Sequence, residues 1–387
     1  MRTKELRALV ALVALFACGT ALAGSKADIV VMTQNQYLGA ELTPIIAAED
    51  PAAANAAMIA ALTTLSNNNY PERVTALAES IRDKQPHLVA LQEMYAFTCI
   101  DPLGTGYCGL FPNAFNDHLA ETMSALGDDY EVAAVVQNLT LAPPVLPILG
   151  IPLYLDPVNP VFIQVIDRDV ILARADVDTT IIDFDCGPES SEDGCNYVNV
   201  APASVGPFDF NIERGFVGVD ATIDDVDYRF INTHLEVKML GDSLESTFLQ
   251  PAQASELWGA ILGTFDPSKR LILAGDFNSS PVDVSPVGVV TAYQQFTNGL
   301  TIFGDELPFS LTDIWPLRPG NPDGFTCCEL ADLSNAPSQH YERVDNVFTL
   351  PAPSKVKANV LDAEVEDKTL SGLWPSDHAS VSAELTY

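Results

Sequence analysis

Strand-like and helix-like segments mix along the 387-residue chain, and that mixture predicts an α/β (α+β) domain. Three observations lead there. Short apolar runs such as Leu88–Leu91 and Leu271–Ala274 end abruptly in polar or turn residues, as buried strands do. Other segments repeat their apolar residues at helical spacing, among them Val74, Leu77, Ala78 and Ile81. Hydrophobic residues make up 48% of the chain, which excludes disorder and supports a large core.

In chain order, Ile29–Met32 reads as a strand that runs out at Thr33, Gln34 and Asn35. The Ala-rich segment Glu41–Leu65 reads as one helix with Pro44 near its start, and Pro71 opens a second that reaches Ile81. Leu88–Leu91 is a buried strand ending in Gln92 and Glu93, and Asn116–Leu126 is amphipathic and helical. Strands follow at Val132–Val136, Asp169–Ala173, Thr179–Phe184, Gly215–Ile223 and Tyr228–Thr233. Pro251–Leu262 reads as a helix, and Leu271–Ala274, Val344–Thr349 and Ala379–Leu385 as the remaining strands.

One stretch stands apart. No charged residue occurs from Val132 to Leu155, long enough to span a bilayer, but Pro143, Pro144, Pro147 and Pro152 break any helix there. The ordinary reading is a loop packed over the core. The sharper one is an apolar lip beside a site, with Leu146, Ile148 and Leu149 in it, or a loop that touches membrane.

The N-terminus reads as a leader. Arg2, Lys4 and Arg7 precede the apolar run Ala8–Ala17, and the small residues before Gly24 predict cleavage after Ala23. This leaves 24–387 as the mature chain, secreted or periplasmic. Leu15-Phe16-Ala17-Cys18 offers a competing lipoprotein box that would anchor the protein at Cys18. Export permits disulfides. Cys99 and Cys108 bracket one surface-loop segment, and Cys186 and Cys195 another. Cys327 and Cys328 remain, expected to be oxidised either to each other or to separate partners. Without CxxC spacing or a nearby histidine, a zinc site is poorly supported. The net charge of −33 repels nucleic acid at long range, although divalent cations can offset it locally.

The chemistry lies at the strand ends. Asn35, Glu93, His234, Asp276 with Asn278, Asp345, and Asp377 with His378 each sit at or just past an apolar run. A single strand-end Asp is most often a turn former or helix cap, and a lone His most often structural. A set of such residues, all oxygen or imidazole donors without thiolate, suits Mg²⁺ or Mn²⁺.

The segments that carry these residues resemble those of the endonuclease/exonuclease/phosphatase superfamily, which includes DNase I-like and neutral sphingomyelinase-like metal-dependent phosphoesterases. TQNQYLG, LVALQEM, ERGFVGVD, FINTHLE, LILAGDFNSSP, LTDIW, ERVDNVF and WPSDHASV stand in that family's order, from about Thr33 to the end. The extent of the match implies one domain. The family fold implies two packed β-sheets flanked by helices, a four-layer sandwich with its site at one end. By resemblance, Glu93 is the principal metal ligand, with Asn35 close by and Asp377 sharing the cation. His378 acts on the attacking water or the phosphate, oriented by Asp345. Asp276 orients or activates the nucleophile, and Asn278 holds a phosphoryl oxygen or the water. His234 contacts the phosphate or assists the leaving group, and Arg214 is a phosphate-facing candidate. The sequence departs from the family in long insertions around Glu41–Asn69, Cys99–Cys108, Leu139–Pro160 and Cys186–Pro207, expected to ring the site and set the substrate.

These readings together predict an exported, Mg²⁺-dependent hydrolase of phosphoric esters. The acidic charge and the uncharged stretch favour a lipid-headgroup or small-molecule substrate, with transient lipid contact. A secreted endonuclease is the alternative, so nucleic acid stays open as a partner. From another class, the alternative is a catalytically silent surface or binding protein. No protein partner can be inferred.

Overall fold

The computed structural model describes residues 28–141, 150–205, 208–238, 244–284, 288–299, 301–302, 305–306, 310–320 and 322–387. The leader with Cys18, and Leu146, Ile148 and Leu149 of the uncharged stretch, lie outside the described residues.

In chain order, β1 (Asp28–Asn35) is followed by α1 (Thr43–Ile46), α2 (Pro51–Asn67), α3 (Tyr70–Lys84), β2 (Leu88–Gln92) and β3 (Ala96–Ile100). After α4 (His118–Leu126) come β4 (Tyr130–Leu141), β5 (Ile151–Tyr154), β6 (Pro160–Arg174) and β7 (Asp178–Ile181). The short β8 (Ser190–Ser191) and β9 (Gly194–Asn196) and the hairpin of β10 (Ala201–Val205) with β11 (Phe208–Ile212) precede the long pair β12 (Gly215–Ile223) and β13 (Val226–His234). Then follow α5 (Leu244–Gly263), β14 (Arg270–Asp276), α6 (Ala292–Asn298), β15 (Thr301–Ile302), β16 (Asp305–Glu306) and β17 (Thr312–Asp313). The chain closes with β18 (Asp345–Leu350), β19 (Lys355–Leu361) and β20 (Ser380–Thr386).

The strands form two large sheets. One runs β19-β20-β1-β2-β6-β3, with β4 and β5 also on β6; the other runs β17-β18-β14-β13-β12-β9-β8, with β7 on β12. Alternation along each strand sorts its side chains between two faces. Ile29, Val31, Leu88 and Ala90 point between the sheets, where they meet Val217, Val219, Phe230, Ile272 and Ala274. Their neighbours Met32, Val89 and Leu91 turn outward onto Ala78 and Ile81 of α3 and Leu126 of α4. On the other sheet, Leu271 and Leu273 turn outward onto Leu257 and Trp258 of α5 and Phe296 of α6. The result is helix, sheet, sheet, helix, the four layers expected.

The expected Glu41–Leu65 helix is two helices. Asp50 caps the second, accepting hydrogen bonds from the Ala52 and Ala53 N–H groups with one carboxylate oxygen, and Pro51 occupies the first helical turn. A proline disfavours helical backbone in the residue before it, so the Asp50-Pro51 pair starts a helix rather than continuing one. Cys99 is bonded to Cys108, Cys186 to Cys195, and Cys327 to its neighbour Cys328. No helix among the described residues is long and apolar enough to cross a membrane.

One buried acid ties the layers together away from the strand ends that matter chemically. Asp362, just past β19, accepts hydrogen bonds from Ser80 of α3 at 2.5 Å and Ser380 of β20 at 2.8 Å. Burial pushes its carboxyl up to about 6, against the two serine hydrogen bonds that lower it. Between the ordinary value near 3.9 and this one, the folded chain binds a proton that the unfolded chain does not. Its contribution to stability is therefore full below about pH 4 and is lost as pH rises through about 6, a change on the order of 2–3 kcal/mol. Asp362→Asn is expected to flatten that part of the profile of melting temperature against pH. A wild-type slope unchanged in the variant would assign the dependence elsewhere.

Candidate active site

Strand direction gathers the polar strand ends. β1 and β2 are parallel, so Asn35 and Gln92 leave their sheet side by side, with Glu93 next in the chain. β20 runs antiparallel to β1, which brings Asp377 and His378, just before its start, to the same end. In the facing sheet β13 and β14 are parallel and β18 is antiparallel to β14, so His234, Asp276 and Asp345 stand in one register row. One cavity of about 530 Å³ is lined by Glu93, Arg214, His234, Asp276, Asn278, Asp377 and His378 together.

Close approach of the strands matters here. Gly275 has φ 149°, and a β-carbon on it would collide with the Thr233 carbonyl oxygen, so β13 and β14 can meet this closely only at a glycine. Glu93 and Asn278 take left-handed backbone, with φ 57° and 46°, a conformation uncommon outside glycine. Asn278 thus faces the cavity beside Asp276 because the chain turns after β14, and not because the strand continues for two more residues. Its backbone N–H donates to Asp276 Oδ1 at 2.8 Å.

Asp276 is the hub. Its Oδ2 accepts from Asn35 Nδ2 at 3.1 Å and lies 3.5 Å from His234 Nε2 and 3.8 Å from His378 Nε2. Burial and then the Asp345 charge push its carboxyl up to about 6, while His378 pulls the other way. His378 Nδ1 pairs with Asp345 Oδ2 at 2.8 Å, which turns Nε2 toward Asp276 and the cavity. Burial opposes a charge on this ring. Asp345 and Asp276 override it and raise the imidazole well above its ordinary value.

His234 is held differently. Arg214 Nη1 lies 3.2 Å from His234 Nδ1 and Asn278 Nδ2 lies 3.2 Å from its Nε2, so a donor group faces each ring nitrogen. Burial and Arg214 hold this histidine well below its usual value. Arg214 lines the cavity, yet its guanidinium also faces Asp167 at 3.6 Å and Glu236 at 3.5 Å. Its geometry is that of a brace behind His234.

Sequence reasoning named Arg214 as phosphate-facing and missed the acids that hold it as a brace. Asp167 and Asp169 lie on the buried face of β6, and Asn138 Nδ2 donates to Asp169 Oδ2 at 2.8 Å. Burial pushes the Asp167 carboxyl up to about 7 despite Arg214. The alternation Val161, Ile163, Val165, Asp167, Asp169 carried the signal, but the charged residues around Arg168 read as a strand boundary. Arg73 was missed as well. Fully buried, it donates to the carbonyls of Gln36, Tyr37, Asn68 and Pro375, so it pins the loop after β1 to the loop that presents Asp377.

Two places suit a cation. Glu93 accepts from Leu38 N at 2.7 Å and Asn35 Nδ2 at 3.2 Å, and Asp377 faces the same cavity with its Oδ1 buried and without a hydrogen-bond partner. Burial first, and the Glu93 charge among its neighbours, push Asp377 up to about 7. An unpartnered carboxylate oxygen beside a second carboxylate is the environment a hard cation would relieve. Asp276, Asp345 and His378 also come within 4.8 Å of one another, close enough for one ion. There, Asp345 Oδ2 is paired with His378 while its Oδ1 is also buried without a partner, but Asp345 does not line the cavity, whereas Glu93 and Asp377 both do, so their pair is the more open to a cation.

No family model matches the chain, and no curated protein matches it by sequence. Solved structures do. A truncated TDP2 from Caenorhabditis elegans is 15% identical, covering 93% of this chain and 98% of that one, with a TM-score of 0.46. The human Nocturnin catalytic domain, solved with a bound sulfate anion, is 13% identical, covering 93% and 94%, with a TM-score of 0.43. An endonuclease/exonuclease/phosphatase family protein from Bacteroides thetaiotaomicron is 14% identical, covering 94% and 98%, with a TM-score of 0.50. That last likeness bears on architecture, and the chain has the fold of the endonuclease/exonuclease/phosphatase family.

Proposed function

We propose that this protein is a divalent-cation-dependent phosphoesterase, with Mg²⁺ as the cation and Mn²⁺ as a substitute. The observation that carries the reading is the convergence of two carboxylate–imidazole systems and an unpartnered carboxylate on one cavity. A cation bound by Glu93 and Asp377, with Asn35 beside them, would neutralise charge that develops on a phosphoryl oxygen. The chain's own groups supply the rest. Asp276, ionised above about pH 6, takes the proton of the attacking water. As the water oxygen bonds to phosphorus, the ester P–O bond breaks and its electron pair leaves with the alkoxide or phenoxide. His378, protonated and held by Asp345, donates from Nε2 to the phosphoryl oxygen. Asn278 and His234 orient the same group. Preorganised donors of this kind lower the barrier because they need not reorganise as charge moves.

We also infer export, supported by the three cysteine pairs, which suit an oxidising compartment. A lipid-headgroup or small-molecule ester is favoured over nucleic acid. Supporting this, Arg214 is the only Lys or Arg among the described residues lining the cavity, and it is already braced by acids. Bis-p-nitrophenyl phosphate is expected to be hydrolysed with Mg²⁺ or Mn²⁺ and to be spared in EDTA. A folded protein inert toward it and toward sphingomyelin, lysophospholipids, plasmid DNA and inositol phosphates, with either cation, would leave a silent binding protein instead.

A further inference from the structure

The cavity is polar at only one end. From Glu93 the chain runs through Tyr95 to Phe97, and all three line it. On β6 the lining residues Val165 and Ile163 precede Asp167 on the same face, and Val165 is the register partner of Phe97. Two adjoining strands therefore pass from acid to hydrocarbon in the same direction. Helix α2 closes the far side with Met58, Ala61, Leu62 and Leu65, an apolar stripe at helical spacing that faces the cavity. Its volume of about 530 Å³ falls within the roughly 300–1,000 Å³ of pockets that bury small ligands.

The walls of this chamber come largely from segments in which the sequence departs from its family resemblance. α2 lies in one insertion, and Leu139, Leu141 and Ile151 border another. Charge at the polar end points the same way. Among the described residues, Glu41, Glu93, Glu236, Glu329, Asp276 and Asp377 line the cavity against Arg214 alone of Lys and Arg. A substrate with several phosphates would need several cationic contacts. A substrate with one phosphate and an apolar body would not. At the mouth, Val237 and Tyr341 are 46% and 64% exposed, so an apolar chain can reach the interior past apolar groups.

We propose that the chamber beside Phe97, Val165 and the α2 stripe holds a single alkyl or acyl chain of an amphiphilic phosphodiester, placing its one phosphate against Glu93, Asp276 and His378. This rests on the phosphoesterase reading, so its test separates the two. In the first arm, 4-nitrophenyl alkyl phosphates from ethyl to dodecyl are hydrolysed with Mg²⁺, below their micellar concentrations. kcat/KM is expected to rise about fourfold for each buried methylene, the ~0.8 kcal/mol of burying one CH₂, until the chamber is full. In the second arm, turnover plays no part. Calorimetry with dodecyl phosphate and ethyl phosphate is expected to show tighter binding of the longer chain, with a negative heat-capacity change.

Ala61→Trp and Val165→Phe each fill the chamber from a different wall, and both are expected to flatten the dependence on chain length in both arms. Thermal melts identify any variant that fails to fold, and the other then carries the test. A flat chain-length profile in a wild type that hydrolyses the diesters overturns the chamber and leaves the phosphoesterase. Chain-length-dependent binding, lost on filling and seen without hydrolysis of any diester, keeps the chamber and removes the phosphoesterase. A preference that survives in both folded variants places the chain elsewhere and overturns the proposal. The dodecyl diester presented in neutral vesicles, set against the monomer, separates a chain drawn from a membrane from a free one. Either source supports the chamber if filling abolishes the preference.

Discussion

His378→Ala is expected to cut turnover by about 10²–10⁴-fold, the range for losing a positioned acid or base, while cation binding stays largely intact. The geometry separates the two effects. His378 reaches Asp345 through Nδ1 and Asp276 through Nε2, and the carboxylates best placed for a cation are Glu93 and Asp377. Asp276→Ala is expected to do similar damage, because it removes the hub that Asn35, Asn278 and both histidines face. If the residues act as one unit, the double variant loses far less than the product of the two single losses. A purely structural role predicts something different. Asp276 and His378 are buried, so each variant would then be destabilised, and activity would fall only with the folded fraction. Melts recorded beside the rates separate these outcomes. Full activity in a folded His378→Ala protein would remove the mechanism.

Much of this site was legible because apolar strands announce themselves and their ends are where polar residues become conspicuous. Leu271–Ala274 followed by Asp276 and Asn278 is readable without a structure, as is Leu88–Leu91 followed by Glu93. The layers were legible too, since alternation along β1, β2 and β14 decides which residues meet the other sheet and which meet helices. What stayed hidden depends on contacts between segments far apart in the chain. Arg73 looks like one more charge on an amphipathic helix, yet it sits fully buried against four carbonyls from three loops. Asp167 and Asp169 look like a polar break in an apolar run. They are tolerated inside because Arg214 and Asn138 reach them, and neither partner lies within twenty residues or so of local pattern. The apolar chamber was foreseen only as a lip, in a stretch of which 142–149 lie outside the described residues. Its α2 wall falls in the insertion around Glu41–Asn69, expected to ring the site, but nothing in that expectation marked the helix as an apolar wall. A stripe at helical spacing says that a face is covered, and cannot say whether protein or ligand covers it.

The cation site gives the second large effect. Glu93→Gln is expected to raise the Mg²⁺ concentration for half-maximal activity by about tenfold or more, since even outer-shell partners of a metal typically count for 10–100-fold in affinity. Glutamine is the informative replacement. Glu93 accepts hydrogen bonds from the Leu38 N–H at 2.7 Å and from Asn35 at 3.2 Å, so its carboxylate also holds the loop after β1. Alanine removes both acceptors and leaves a donor unpaired, at a cost of about 1–3 kcal/mol. Glutamine keeps the shape and one acceptor oxygen but discards the charge. If Glu93 matters as a loop anchor, Glu93→Gln retains most of the activity and Glu93→Ala loses stability. If it matters as a ligand, both variants bind Mg²⁺ poorly by calorimetry, and Glu93→Gln melts close to the wild type when no cation is added. Removing this charge leaves Asp377 as the one carboxylate of the pair, so cation binding there is expected to be weak. Wild-type Mg²⁺ affinity in a folded Glu93→Gln protein would move the cation to the Asp276, Asp345 and His378 group, whose three ligand atoms lie within 4.8 Å of one another.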